Sequence, residues 1–230
     1  MENSKNNIIG LTLGIKFNRS FRIPDISGDI IDDLLYSDKT PFGVKYFPQI
    51  QENSKREKTL FNPETSEYLR INTDDLILGI EINNNYKERF NWIREDVLSY
   101  FKDDLFRIHK IKNIYRLGIV FSHKLGKNTK LTKAVNSFTE NEVSGADNIN
   151  VSFSKKAATK EALYRKGVND YKNQIYNFQE LTDSVTADLD YQYYYEPVVE
   201  DLRECFTSEI LKDADNFLED NFYKWLNKYE

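Results

Sequence analysis

Leu76-Ile77-Leu78-Gly79-Ile80-Glu81-Ile82, then Asn83-Asn84-Asn85, then an amphipathic run, then Ile114-Tyr115-Arg116-Leu117-Gly118-Ile119-Val120-Phe121: this stretch decides the fold. Apolar residues two apart share one face of a strand, and residues three or four apart share one face of a helix. The order is therefore strand, helix, strand. In the helix the apolar stripe is Phe90, Ile93, Val97, Phe101 and Leu105, with Trp92 at its edge. Asn85 followed by Glu88 has the spacing of a capping box.

Upstream, Leu11, Leu13, Ile15 and Phe17 alternate as a first strand, and Gly10 and Gly14 within it mark close packing or a bulge. Pro24 opens a short helix carrying Ile26, Ile30, Ile31, Leu34 and Leu35, which ends before Pro41. Val44 to Ile50 is an extended piece limited by Pro48, and the polar stretch Gln51 to Ser66 is an exposed loop. A strand from Glu67 to Asn72 is joined to Leu76–Ile82 through Thr73-Asp74-Asp75 as a hairpin.

Downstream, Ile149, Val151 and Phe153 alternate with Asn150, Ser152 and Ser154. A ragged strand follows near Tyr171 to Phe178. Val185, Ala187, Leu189, Tyr191, Tyr193 and Tyr195 share one face of the next strand. From Pro197, where a helix can start, Val199, Leu202, Phe206, Ile210, Phe217, Leu218, Phe222, Trp225 and Tyr229 mark a long amphipathic final helix, broken near Asp213.

Strands joined by turns predict an α+β fold: antiparallel sheet with long amphipathic helices packed on one face. Residues 1–230 form a single domain, because no linker rich in Gly, Pro or Ser divides the chain. The pseudo-halves 1–106 and 107–230 each end in a helix, an architectural repeat without a legible residue-level match.

Hydrophobic residues at 40% and aromatics at 14% exclude a disordered chain. A net charge of −5 gives no global attraction for nucleic acid or anionic membrane. The charge is uneven: 14 Lys/Arg against 5 Asp/Glu between Arg107 and Lys172, and 4 against 13 from Asp183 to Glu230. Partial neutralisation of one segment by the other is the expected outcome; a basic face is the alternative. The single Cys205 excludes an internal disulfide, falls in the stripe of the final helix, and suits a reducing cytoplasm. No apolar run reaches the roughly 18 residues of a membrane span.

Catalytic inventory is thin. His109 and His123 flank one strand, about a strand length apart, and no zinc spacing, nucleophile elbow or phosphate-binding glycine loop occurs, so no cofactor is implied. Asp188 and Asp190 place two acids on one strand face, as paired carboxylates that hold a divalent cation do. Lys124, Lys127, Lys130 and Lys133 recur at helical spacing and would contact phosphates from one face. Arg116 lies opposite the apolar face of its strand, suited to pairing with Glu81 or to reading an anionic ligand.

Three places resemble a sporadically distributed, uncharacterised family of bacterial and archaeal proteins over roughly the first 125 residues: Tyr46-Phe47-Pro48; the strand ending at Ile82 with Tyr86 and Phe90-Asn91-Trp92; and Tyr115-Arg116-Leu117-Gly118-Ile119. The resemblance implies no activity; the family's patchy occurrence suggests mobile or defence-associated genes. The leading expectation is a non-catalytic binding or regulatory subunit of a bacterial system, defence or toxin–antitoxin-like, acting by oligomerisation or through a partner protein. A nucleic-acid binder using the basic region 107–172 and a metal-dependent nuclease or hydrolase using Asp188 and Asp190 are the alternatives.

Overall fold

A computed structural model describes residues 7–49, 57–125, 149–158, 164–180 and 185–226. The fold is α+β. Among the described residues, nine strands form one antiparallel sheet: β1 (Ile8–Phe17), β2 (Phe47–Gln49), β3 (Lys58–Asn62), β4 (Glu67–Ile71), β5 (Asp75–Glu81), β6 (Ile114–Leu125), β7 (Ile149–Ala158), β8 (Tyr171–Glu180) and β9 (Val185–Val199). Their order across the sheet is β2-β3-β4-β5-β1-β6-β9-β8-β7. The stretch from Leu76 to Phe121 thus supplies most of β5 and β6, and β1 lies between them.

Helix α1 spans Ser27–Tyr36. Helix α2 runs without a break through Tyr86–Trp92, a π-turn at Ile93–Val97, Leu98–Tyr100, a second π-turn at Phe101–Leu105, and Phe106–His109. Helix α3 runs through Thr207–Phe217, a π-turn at Leu218–Phe222, and Tyr223–Leu226.

The π-turns follow from the spacing of the apolar residues. Ile93, Val97, Phe101 and Leu105 recur every fourth residue, as do Ile210, Ala214, Leu218 and Phe222. At about 3.6 residues per turn, each step of four would rotate an α-helical stripe by roughly 40°. A π-turn takes in more residues before closing its hydrogen bond and so cancels that drift. All eight side chains are at most 1% exposed.

Helices α2 and α3 meet the sheet through aromatic contacts. Phe106 packs on Phe17, Phe90 on Phe121, Phe217 on Tyr191, and Phe222 on Tyr176 and His123. By alternation and register Phe17, Phe121, His123, Tyr176 and Tyr191 belong to one sheet face. Two tyrosines of this layer bond carboxylates through their hydroxyls. Tyr86 donates to Asp215 at 2.6 Å, joining α2 to α3, and Tyr193 donates to Asp170 at 3.0 Å.

Several expectations need correction. The stretch Gln51–Ser66 contains β3, whose Leu60 is 2% exposed opposite Leu69. The extended piece Val44–Ile50 reduces to the three residues of β2. Asn85 does not cap α2 through its side chain; Asn85 Oδ1 accepts the backbone N–H of Asn83 instead. Pro197 lies inside β9, after a cis peptide bond, and starts no helix. Val199 ends that strand, Leu202 lies in a 3₁₀ turn, and Cys205 is buried in the turn before α3, not in its stripe. Helix α3 begins at Thr207 and is continuous through Asp213. Register shifts in β1 fall between Ile8 and Gly10 and between Lys16 and Phe17, while Gly14 has open space where a Cβ would stand. No helix of the described residues is long and apolar enough to cross a membrane.

Candidate functional site

The other sheet face carries the alternate residues. Following the register gives transverse rows on it. One row runs Asp75, Lys16, Arg116, Tyr194, Tyr171; the next runs Arg70, Ile77, Gly14, Gly118, Gln192, Asn173, Lys156. Beyond these come Tyr68, Gly79, Thr12, Val120, Asp190, Ile175, and then Glu81, Gly10, Ser122, Asp188, Asn177. Arg116, Lys124, Asp188 and Asp190, separate in sequence, therefore share one face. Lys124 is exposed opposite Thr186. Lys127, Lys130 and Lys133 lie outside the described residues.

Arg116 and Glu81 do not pair. They stand three rows apart, roughly 20 Å at about 6.8 Å per two residues. Instead Arg116 sits directly opposite Lys16, a like charge on the neighbouring strand. Such a pair is unfavourable on a sheet face. Lys16 leans to Asp75 at 3.7 Å. Arg116 donates from Nη1 to the Tyr194 hydroxyl at 3.3 Å, and its buried Nε–H has no hydrogen-bond partner among the described residues.

From Arg116 a polar ladder crosses three strands. The Tyr194 hydroxyl donates to Gln192 Oε1 at 2.9 Å, Asn173 donates to the same oxygen at 3.4 Å, and Gln192 Nε2 donates to Asp190 at 2.6 Å. Tyr194 and Tyr171 stack at 4.6 Å with planes 7° apart, with Lys156 over the far ring at 3.6 Å. The ring faces are thus occupied by each other and by a cation. A nucleic-acid base can stack here only by displacing one of them.

Asp188 and Asp190 both have carboxyls raised above the ordinary range. Burial is the main cause in each, opposed by a hydrogen bond from Ser122 for Asp188, and for Asp190 by Gln192 and the nearby Arg116 charge. Among the described residues no group of three or more His, Cys, Asp or Glu is placed to hold a metal ion. His109 and His123 do not converge. His109 bonds Asp33 of α1 at 2.7 Å, and His123 is buried between β9 and α3.

The uneven charge is partly neutralised across the fold, with Lys112 on Glu200 at 2.5 Å and Lys172 on Asp213 at 2.6 Å. A cleft of about 420 Å³ opens between α2 and the segment after α1, lined by Trp92, Tyr100, Glu95, Asp96, Asp103 and Asp104 among others. Lys39 already pairs with Asp104 there at 3.1 Å.

The molecule is an α+β protein; aromatic residues of α2 and α3 contact one face of its sheet, and the other face holds a cationic pair and a tyrosine ladder. Comparison with protein families, with curated proteins and with solved structures finds no match to this chain.

Proposed function

We propose that this protein is a non-catalytic binding subunit that takes an anionic group of a partner protein on the sheet face opposite the α2 and α3 contacts, at Lys16, Arg116 and the Tyr194 hydroxyl. The observation that carries this reading is the direct opposition of Lys16 and Arg116, with a buried guanidinium N–H that has no hydrogen-bond partner among the described residues. An arrangement that costs stability when empty and would be relieved by a carboxylate has the character of a binding site. A partner protein is favoured over nucleic acid because the cations of this face are interleaved with Asp75, Glu81, Asp188 and Asp190. A polyanion laid across the face would meet both signs. Participation in a bacterial defence or toxin–antitoxin-like system belongs to this proposal and rests on the resemblance of the first 125 residues.

We also propose that residues 1–106 and 107–230 are structural counterparts. Strands β1, β5, β4 and β3 follow one another outward from the centre as β6, β9, β8 and β7 do, and Gly14 faces Gly118 at the midpoint. That register supports a correspondence of Leu13-Gly14-Ile15-Lys16-Phe17 with Leu117-Gly118-Ile119-Val120-Phe121, of Tyr68 with Tyr171, and of Asp75 with Asp190. Under it, Lys16 and Arg116 correspond to the neutral Val120 and Thr12. The cationic pair departs from the shared pattern, as an acquired site would.

Replacing Arg116 by Met tests the reading without knowledge of the partner. Loss of the like-charge contact offsets the long hydrogen bond to the Tyr194 hydroxyl at 3.3 Å and the weak cation–π contact with the Tyr194 ring, 5.8 Å away. Stability to urea is expected to stay within about 1 kcal/mol of wild type or to rise. A loss of about 2 kcal/mol or more would assign Arg116 a structural role and remove the site.

A further inference from the structure

Among the described residues, the two edges of the sheet differ. The β2 edge is three residues long and contains Pro48, the blunted kind of edge that resists pairing. The β7 edge is ten residues long, holds neither Pro nor Gly, and pairs with β8 without a register shift from Ile149↔Glu180 to Ala158↔Tyr171. Asn150, Ser152, Phe153, Ser154, Lys155 and Lys156 are all exposed. Such a strand presents a regular row of backbone donors and acceptors on its outer side.

Phe153 shows what fits there. Its ring stacks on Tyr176, its direct partner on β8, at 4.9 Å and 11°, and meets Trp225 edge-on at 5.7 Å. The stacking distance matches the spacing of neighbouring strands, about 4.8 Å. The opposite ring face points outward along the same direction, and Phe153 is 45% exposed. A strand added at this edge with an aromatic residue opposite Phe153 would continue the stack.

We infer that the occupant is a second copy of this chain, paired β7 to β7 antiparallel about a twofold axis at Phe153. Such an isologous contact matches each residue to its mirror position and closes at a dimer. Phe153 then faces Phe153 of the partner subunit, extending the stack into a column of four rings. Ser152 faces Ser154, Val151 faces Lys155, and Asn150 faces Lys156, so no like charges are opposed. A slip centred on Lys155 would set that lysine against its own copy, which disfavours the alternative register. The inference goes beyond the open-face reading, uses a different surface, and stands or falls separately from it.

Ser152 and Ser154 sit on the sheet face of Asp188 and Asp190 and allow a register-specific test by light scattering or sedimentation over a range of concentrations. Wild type is expected to be a dimer. The Ser152→Lys/Ser154→Lys double variant opposes lysines twice and is expected to be monomeric, with at least tenfold weaker association. The Ser152→Glu/Ser154→Lys variant opposes unlike charges at the same positions and is expected to dimerise as well as wild type or better. A monomeric wild type, or two double variants that associate equally, would overturn the inference. Binding by the open face would survive either result.

Discussion

Replacing Asp170 by Ala is expected to remove about 3–5 kcal/mol of stability in urea denaturation, the range for breaking a buried ion pair by deleting one partner. Asp170 is 2% exposed and anchors the turn into β8. Its carboxylate accepts from Arg165 Nε at 2.9 Å and from Arg165 Nη2, from the Tyr193 hydroxyl at 3.0 Å, and from the backbone N–H of Glu196 at 2.8 Å. Arg165 in turn donates to the Pro197 carbonyl at 2.7 Å. Alanine strands a guanidinium, a phenol and a backbone N–H at once, each costing about 1–3 kcal/mol when buried and unpaired. Asp170→Asn keeps one acceptor but turns an amide toward the arginine, so it is expected to recover only part of the loss. A loss below about 1 kcal/mol for Asp170→Ala would mean that this network does not hold β8 and β9 together.

The second large effect is on acid stability. His123 is 1% exposed. Its Nδ1 lies 3.1 Å from the Ala187 carbonyl and its Nε2 lies 3.3 Å from the Tyr223 hydroxyl. A carbonyl only accepts, so Nδ1 carries the proton and Nε2 accepts from Tyr223. Phe222 covers the ring at 5.0 Å. Burial lowers the His123 pKa to about 4, against opposing hydrogen bonds to the Ala187 and Phe121 backbone. Above pH 6.5 or so the imidazole is neutral folded and unfolded, and contributes no pH dependence. Between about 6.5 and 4 the unfolded chain takes up a proton that the folded chain refuses, so stability falls as pH falls. At about 1.4 kcal/mol per unit, the loss reaches roughly 3 kcal/mol and levels off below pH 4. Asp188 and Asp190, with raised carboxyls, act in the opposite sense, so the informative quantity is the difference between wild type and His123→Phe. That difference is expected to narrow in favour of the variant as pH drops from 6.5 to 4. A constant difference would contradict a buried neutral imidazole.

Much of the fold was legible because burial on one side leaves a period in the chain. β1, β5, β6 and β9 alternate cleanly, and the stripe of α2 is buried as its spacing predicts. β3 was missed because Lys58, Thr59 and Asn62 dilute its apolar pair, and Pro63 directly after it reads as a loop. Val199, Leu202 and Phe206 mimicked a helical stripe at spacings of three and four while belonging to a strand end, a 3₁₀ turn and a helix cap. The site was less legible for a different reason. Arg116 and the two aspartates could be named from strand alternation, but Lys16 lies a hundred residues from Arg116. Only the register of β1 against β6 makes them neighbours. The tyrosine ladder likewise depends on how β8 aligns with β9, which no single strand encodes.

Partner binding by the sheet face of Arg116 is open to direct test. Photo-crosslinking residues placed at Thr12, Ile77 or Asn173 report on that face, and the same residues at the exposed Ser99 and Glu209 report on α2 and α3. Irradiation in the cells that make the protein is expected to give one discrete protein adduct from the sheet positions, absent from the helix positions and lost on combining Arg116→Met. Adducts confined to Ser99 and Glu209, or sheet-face adducts unchanged by Arg116→Met, would contradict the account.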